Sequence, residues 1–117
     1  MSRRDPTSLG VTTLAERKAN EARRRKDAAN SIVCALRDHA RDHGGRYVVF
    51  GSYASGTMRY DSDLDILIDF PPERAVDAWL FAEDACAVNA LPPDLHDART
   101  TKSVFLDRVL SQGLVLS

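Results

Sequence analysis

Asp61, Asp63 and Asp65 stand two residues apart in the stretch GSYASGTMRYDSDLDILIDF, residues 51–70. On an extended chain alternate residues share a face. Asp63 and Asp65 therefore project together, while Leu64, Ile66 and Ile68 project into a core. Neighbouring carboxylates raise each other's pKa, which is a poor device for stabilising a strand. The same pair makes a good seat for a hard divalent cation such as Mg²⁺, which prefers carboxylate oxygen and supplies the opposing charge. Asp61 lies ahead of the strand, where it can cap or solvate a loop.

The residues before the aspartates carry a second chemistry. Gly51 and Ser52 directly follow the apolar run Tyr47-Val48-Val49-Phe50, and Tyr53 to Gly56 can start a short helix. A Gly-Ser turn at a helix start offers free backbone N–H groups and a hydroxyl to phosphate oxygens. Strand, phosphate cradle and carboxylate pair in that order suit a triphosphate bridged by Mg²⁺, the arrangement used in phosphoryl and nucleotidyl transfer. No G-x-x-x-x-G-K-[ST] occurs, so a simple P-loop is excluded.

The elements that must position these groups are legible from capping and periodicity. Thr13 to His43 reads as one long helix: Thr13 and Glu16 form a capping box and Gly44-Gly45 stops the run. Ala15, Ala19 and Ala22 mark a weak stripe on its first half, and Ile32, Ala35, Leu36 and Ala40 a stronger one on its second. Residues 1–12 are polar and read as loose. Tyr47–Phe50 and Leu64–Phe70 read as strands, the second ended by Pro71-Pro72. Glu73 to about Asn89 reads as a helix with Val76, Trp79, Leu80 and Cys86 among its apolar positions. Asp94–Ala98 reads as a short strand. A last helix opens at Thr100 or Thr101 and runs through Ser111 with Val104, Phe105, Arg108 and Val109 at helical spacing; Gly113 ends it before the extended Leu114-Val115-Leu116. The expected fold class is α/β (α+β): a short mixed β-sheet flanked by helices, with a long N-terminal helix. Two parts are expected, a basic arm and helix over 1–43 and a catalytic domain over 44–117.

At 117 residues there is room for one modest core. No apolar run is long enough to cross a bilayer, and no secretory signal follows the N-terminal Met-Ser-Arg-Arg-Asp-Pro. Cys34 and Cys86 are read as two reduced thiols of a cytoplasmic protein. The net charge of −1 hides an asymmetry: residues 1–43 hold ten Lys/Arg against six Asp/Glu, residues 44–117 six against eleven. Within the arm, Arg23-Arg24-Arg25-Lys26 reads first as a solvated helix face, with contact to RNA, substrate phosphates or an acidic partner as the functional alternative. Direct nucleic-acid binding is not the leading reading. His39, His43 and His96 lack metal-ligand spacing with the cysteines; His39 and His43 read as a solvated helix end, and the R-x5-H match from Arg37 to His43 as chance. Trp79 and Phe81 read as core or interface.

Gly51-Ser52, ten residues, then Asp63-Leu64-Asp65 resembles the GS-x10-D-x-D signature of the DNA polymerase beta-like nucleotidyltransferase superfamily, and the fuller run GSYASG…DSDLDILI is similar to its minimal nucleotidyltransferase (MNT) subgroup. The resemblance covers roughly residues 46–117. It implies a third carboxylate from a later strand, drawn from Asp94-Leu95-His96-Asp97. The family pattern selects Asp94; Asp97 is the alternative, and strand parity puts the two on opposite faces. Relatives often have Arg where Ser55 stands, and Arg59 is the nearby basic residue that could replace it. The implied activity is transfer of NMP from an NTP, AMP from ATP foremost, to a hydroxyl. Asp63, Asp65 and Asp94 would hold two Mg²⁺ ions, and Gly51 and Ser52 the phosphates. MNT domains often pair with a helical HEPN toxin, which they silence as antitoxins by modifying a tyrosine; a HEPN partner is therefore the leading expectation. An antibiotic-type small-molecule transferase and a non-catalytic binding module are the alternatives. The first half of the long helix is expected to bind the partner and to be dispensable for the fold.

Overall fold

The computed structural model describes residues 13–117. The expected looseness of residues 1–12 lies outside the described residues. The long helix α1 spans Leu14–His43, and both halves of its capping box form: Glu16 N–H donates to Thr13 Oγ1 (3.0 Å) and Thr13 N–H to Glu16 Oε1 (2.9 Å). Gly44, at φ +72°, ends it in the left-handed conformation that glycine adopts without a Cβ clash.

Four strands form one sheet: β1 (Arg46–Phe50), β2 (Leu64–Asp69), β3 (Pro93–Asp97) and β4 (Leu114–Leu116), in the order β3-β2-β1-β4. β1 pairs antiparallel with β2 and with β4, while β2 and β3 run parallel. The parallel pair needs a crossover, supplied by α3 (Pro72–Val88). The four-residue α2 (Ser52–Ser55) links β1 to the loop before β2, and α4 (Ser103–Gln112) precedes β4.

Strand alternation divides the core in two. Tyr47, Val49, Leu64, Ile66 and Ile68 face α1 and α3, against Ala29, Ile32, Leu36, Ala40, Ala78, Ala82 and Cys86. Val48 and Leu67 face α4, against Val109. The second half of α1 is thus part of the main core, whereas every residue from Leu14 to Asn20 is exposed. At about 1.5 Å per residue the helix reaches ~45 Å, which explains a molecule 59 Å long and only 17 Å thin.

Three local expectations change. The inner face of α3 is Ala75, Ala78, Ala82 and Cys86, with Val76 and Leu80 exposed. Small side chains let α3 lie close against α1 and the sheet, and the larger residues fall on the outer side. Helix α4 starts at Ser103 rather than Thr100 or Thr101. Those threonine hydroxyls donate instead to the Asp97 carbonyl (3.3 and 2.6 Å), tightening the turn that follows β3. Finally, His39 and His43 are not a solvated helix end. The His39 ring stacks on His43 (centroids 4.0 Å apart) and on Phe81 (4.1 Å), and burial followed by the nearby His43 lowers its pKa. The i,i+4 rings fall on the side of α1 that meets α3.

Candidate active site

The site assembles where β1 ends and β2 and β3 begin. Phe50 closes β1, and Gly51 turns the chain at φ +71°, ψ −144° into α2. That backbone conformation is essentially confined to glycine. A second constraint acts on the same residue, because a Cβ there would overlap Asp65 Oδ2. The first-turn amides of α2 have no partner inside so short a helix. Gly56, at φ +75°, closes it with N–H bonds to the Ser52 and Tyr53 carbonyls, and Thr57 N–H adds a 2.9 Å bond to Ser52 O. The Ser55 and Thr57 hydroxyls share a hydrogen bond, with their oxygens 2.7 Å apart.

Register brings the carboxylates to that turn. Antiparallel pairing sets Asp65 opposite Phe50, and parallel pairing sets Asp94 opposite Asp65. Asp65 is half-buried, and its carboxyl is pushed up to about 6: burial contributes most, then the charges of Asp94 and Asp63, and last a hydrogen bond with Asp94. His96, on the same face of β3, opposes part of this shift, and its Nε2 lies 3.4 Å from Asp94 Oδ2. The side chains of Asp63 and Asp94 are open to solvent (54% and 57% exposed). Asp97 lies elsewhere. It pairs with Ile68 on the other parity of β3 and is held by Arg99, whose hydrogen bonds lower its pKa. Asp61 points to Arg59, 3.9 Å away.

Among the described residues no three His, Cys, Asp or Glu side chains are already gathered closely enough to hold a metal ion. Their chemistry nevertheless fits Mg²⁺. Asp65 and Asp94 are hard oxygen donors in lateral register, with Asp63 close enough to perturb Asp65. The Asp63 carboxylate also lies beside Arg25, whose Nη1 is 4.0 Å from its Oδ1.

Two neighbours of the site escaped the sequence reading. His96 could have been found by parity, since it lies two residues from Asp94. The arginine run could not, because only the packing of α1 brings it there. Glu21 accepts hydrogen bonds from both Arg24 (2.8 and 3.0 Å) and Arg25 (2.7 Å), which hold its carboxyl down to about 2. Arg25 donates on to Ser62 O (2.8 Å), directly before Asp63. Arg24 donates to Asn89 O (3.4 Å) and Ala90 O (3.0 Å), in the loop leading to β3 and Asp94. Two residues read as a solvated face thus fasten the two loops that lead to the exposed Asp63 and Asp94.

No curated protein matches the chain. Among solved structures, a minimal nucleotidyltransferase shares the fold at TM-score 0.63 and 24% identity, over 76% of this chain and 93% of that one. A toxin–antitoxin crystal structure with AMP-PNP aligns at TM-score 0.50 and 26% identity, over 79% and 72%. The mutant toxin–antitoxin MntA-HpeT aligns at TM-score 0.52 and 23% identity, over 68% and 67%. The sequence profile of the nucleotidyltransferase domain matches residues 30–113, which include the second half of α1, the Gly-Ser turn and all three strand-start aspartates. On that match the chain belongs to the nucleotidyltransferase domain family.

Proposed function

We propose that this protein is a Mg²⁺-dependent nucleotidyltransferase that moves AMP from ATP to a tyrosine of a HEPN-type toxin and thereby serves as its antitoxin. The observation that carries the catalytic reading is the lateral register of Asp65 and Asp94 on parallel strands, beside a glycine turn whose open side abuts Asp65. Family membership and the toxin–antitoxin structure with AMP-PNP support the substrate and the partner.

In this reading Asp63, Asp65 and Asp94 hold Mg²⁺, which when bound neutralises charge on the phosphates and on the attacking oxygen. The acceptor hydroxyl attacks the α-phosphorus in line; its O–P bond forms as the bond to the bridging oxygen breaks, and pyrophosphate leaves. The hydroxyl proton passes to Asp94, which is open to solvent and has His96 beside it. Ser52 and the free amides of the α2 turn hold the non-transferred phosphates.

The test combines the pure protein, each labelled NTP, Mg²⁺ and the protein encoded beside it. The expected result is label from ATP on a partner tyrosine, lost with Asp65→Asn. Neutralisation without label, equally strong in Asp65→Asn, would establish a binding module that acts by contact. Label on a small molecule alone would establish the antibiotic-type transferase.

A further inference from the structure

A cavity of about 360 Å³ opens between α2 and α4, lined by Gly51, Ala54, Ser55, Phe105, Arg108 and Gln112 among others. Helix α4 is anchored on either side of Arg108: Phe105 packs edge-on against Phe50 (centroids 5.6 Å apart) and Val109 is buried against Val48 and Leu67. Residues three apart share a helix face, so Phe105 at the floor and Arg108 at the wall are presented together. Of the residues lining the cavity Arg108 alone is charged.

Three other arginines near the site have partners. Arg59 faces Asp61, Arg25 is bonded to Glu21 and Ser62, and Arg99 is bonded to Asp97. Among the described residues the Arg108 guanidinium has no ion pair and no hydrogen bond. It shares the cavity with Gly51, Ala54 and Ser55 of the turn that follows β1. A cavity whose single charge is an unpaired guanidinium is complementary to an anion, and the planar fork matches phosphate oxygens two at a time. Asp63, Asp65 and Asp94 do not line this cavity. A nucleotide whose reacting phosphorus sat at those carboxylates would present a more remote part to this cavity.

We propose that Arg108 is a phosphate-binding residue that holds the β- and γ-phosphates of the NTP from the α4 side, opposite the Gly51–Ser55 turn. The assignment rests on the nucleotidyltransferase reading of the site. It also gives Ser55 a meaning: the positive charge facing the phosphates comes from across the cavity rather than from α2 itself.

The experiment is calorimetric titration of the full chain with a non-hydrolysable ATP analogue and with AMP, both with Mg²⁺. Loss of a charge-assisted hydrogen bond predicts that Arg108→Gln weakens the analogue by about tenfold or more, while AMP binding changes by less than about twofold. Arg108→Lys, which keeps charge without the fork, should fall between. Adding Ser55→Arg to Arg108→Gln should recover affinity for the analogue, because residue 55 lines the same cavity. Arg108 is exposed, and circular dichroism should show the fold unchanged. Wild-type affinity for the analogue in Arg108→Gln would overturn the assignment and leave the site intact. Equal losses for analogue and AMP would also overturn it, in favour of a nucleoside pocket. A wild-type protein that binds neither ligand would overturn the site reading itself.

Discussion

Asp65 is the residue on which the physics of this site converges. Burial and the charges of Asp94 and Asp63 push its carboxyl up to about 6, above the ~3.9 of an unfolded aspartate. The folded state therefore binds the extra proton between about pH 4 and 6, and this group's contribution to stability is lost as pH rises through that window. Asp65→Asn should abolish transfer, yet in EDTA it should gain Tm relative to wild type from pH 4.5 to pH 7. A gap in Tm that stays constant across that range would show that Asp65 is not perturbed. Its neighbour Gly51 answers to backbone strain as well as space. Gly51→Ala should cost about 1–3 kcal/mol in denaturant unfolding and displace the carboxylate it would overlap. The choice between Asp94 and Asp97 is a question of parity. Asp94→Ala should lower turnover by about 10²–10⁴-fold if it takes the acceptor's proton, and Asp97→Ala should affect only the Arg99–Thr101 turn. The reverse ranking would refute the roles proposed for the two.

Helix α1 is an element with two physical regimes. Its second half is core, so Ile32→Ala or Leu36→Ala should destabilise by about 2–5 kcal/mol. Its first half buries little, which in sequence terms suggests an extension that can be removed. The Glu21–Arg24–Arg25 clasp shortens that dispensable part. Deleting residues 1–20 should leave affinity for an ATP analogue nearly unchanged. Deleting residues 1–28 removes the clasp, and should weaken the analogue by about tenfold and raise amide exchange around Ser62 and Ala90. Equal affinities for the two truncations would show that the clasp positions nothing.

At the scale of the whole molecule, charge separation and shape go together. The exposed start of α1, which carries Arg17 and Lys18, extends from the body of a molecule 59 Å long. Among the described residues no helix is long and apolar enough to cross a membrane. Exposed basic residues on the projecting end of α1 favour fast, salt-sensitive association with an acidic partner surface. Partner affinity measured by calorimetry should therefore fall as salt rises, and fall less steeply for the protein lacking residues 1–20. A salt response unchanged by that truncation would place the partner elsewhere.

The sequence by itself determined whatever depends on near neighbours. Thr13 and Glu16 start a helix and Gly44 ends it because capping is settled within four residues. Strand alternation fixes which of Leu64, Asp65 and Ile66 face the core, and the Gly-Ser turn with its aspartates marks a candidate site from the sequence alone. Boundaries governed by competing local bonds, as at Thr100 and Thr101, were less legible. The tertiary structure alone decided what meets across the chain: the alignment of Asp94 with Asp65, the alanine face of α3, the stacking of His39 on Phe81, and the arginines that clasp two loops beside the carboxylates or share a cavity with the Gly51 turn. Those arginines are indistinguishable in sequence from solvated surface charge. Arg24 and Arg25 are set apart by the few ångströms between their guanidinium groups and residues tens of positions away, and that distance is set by how helices pack on the sheet.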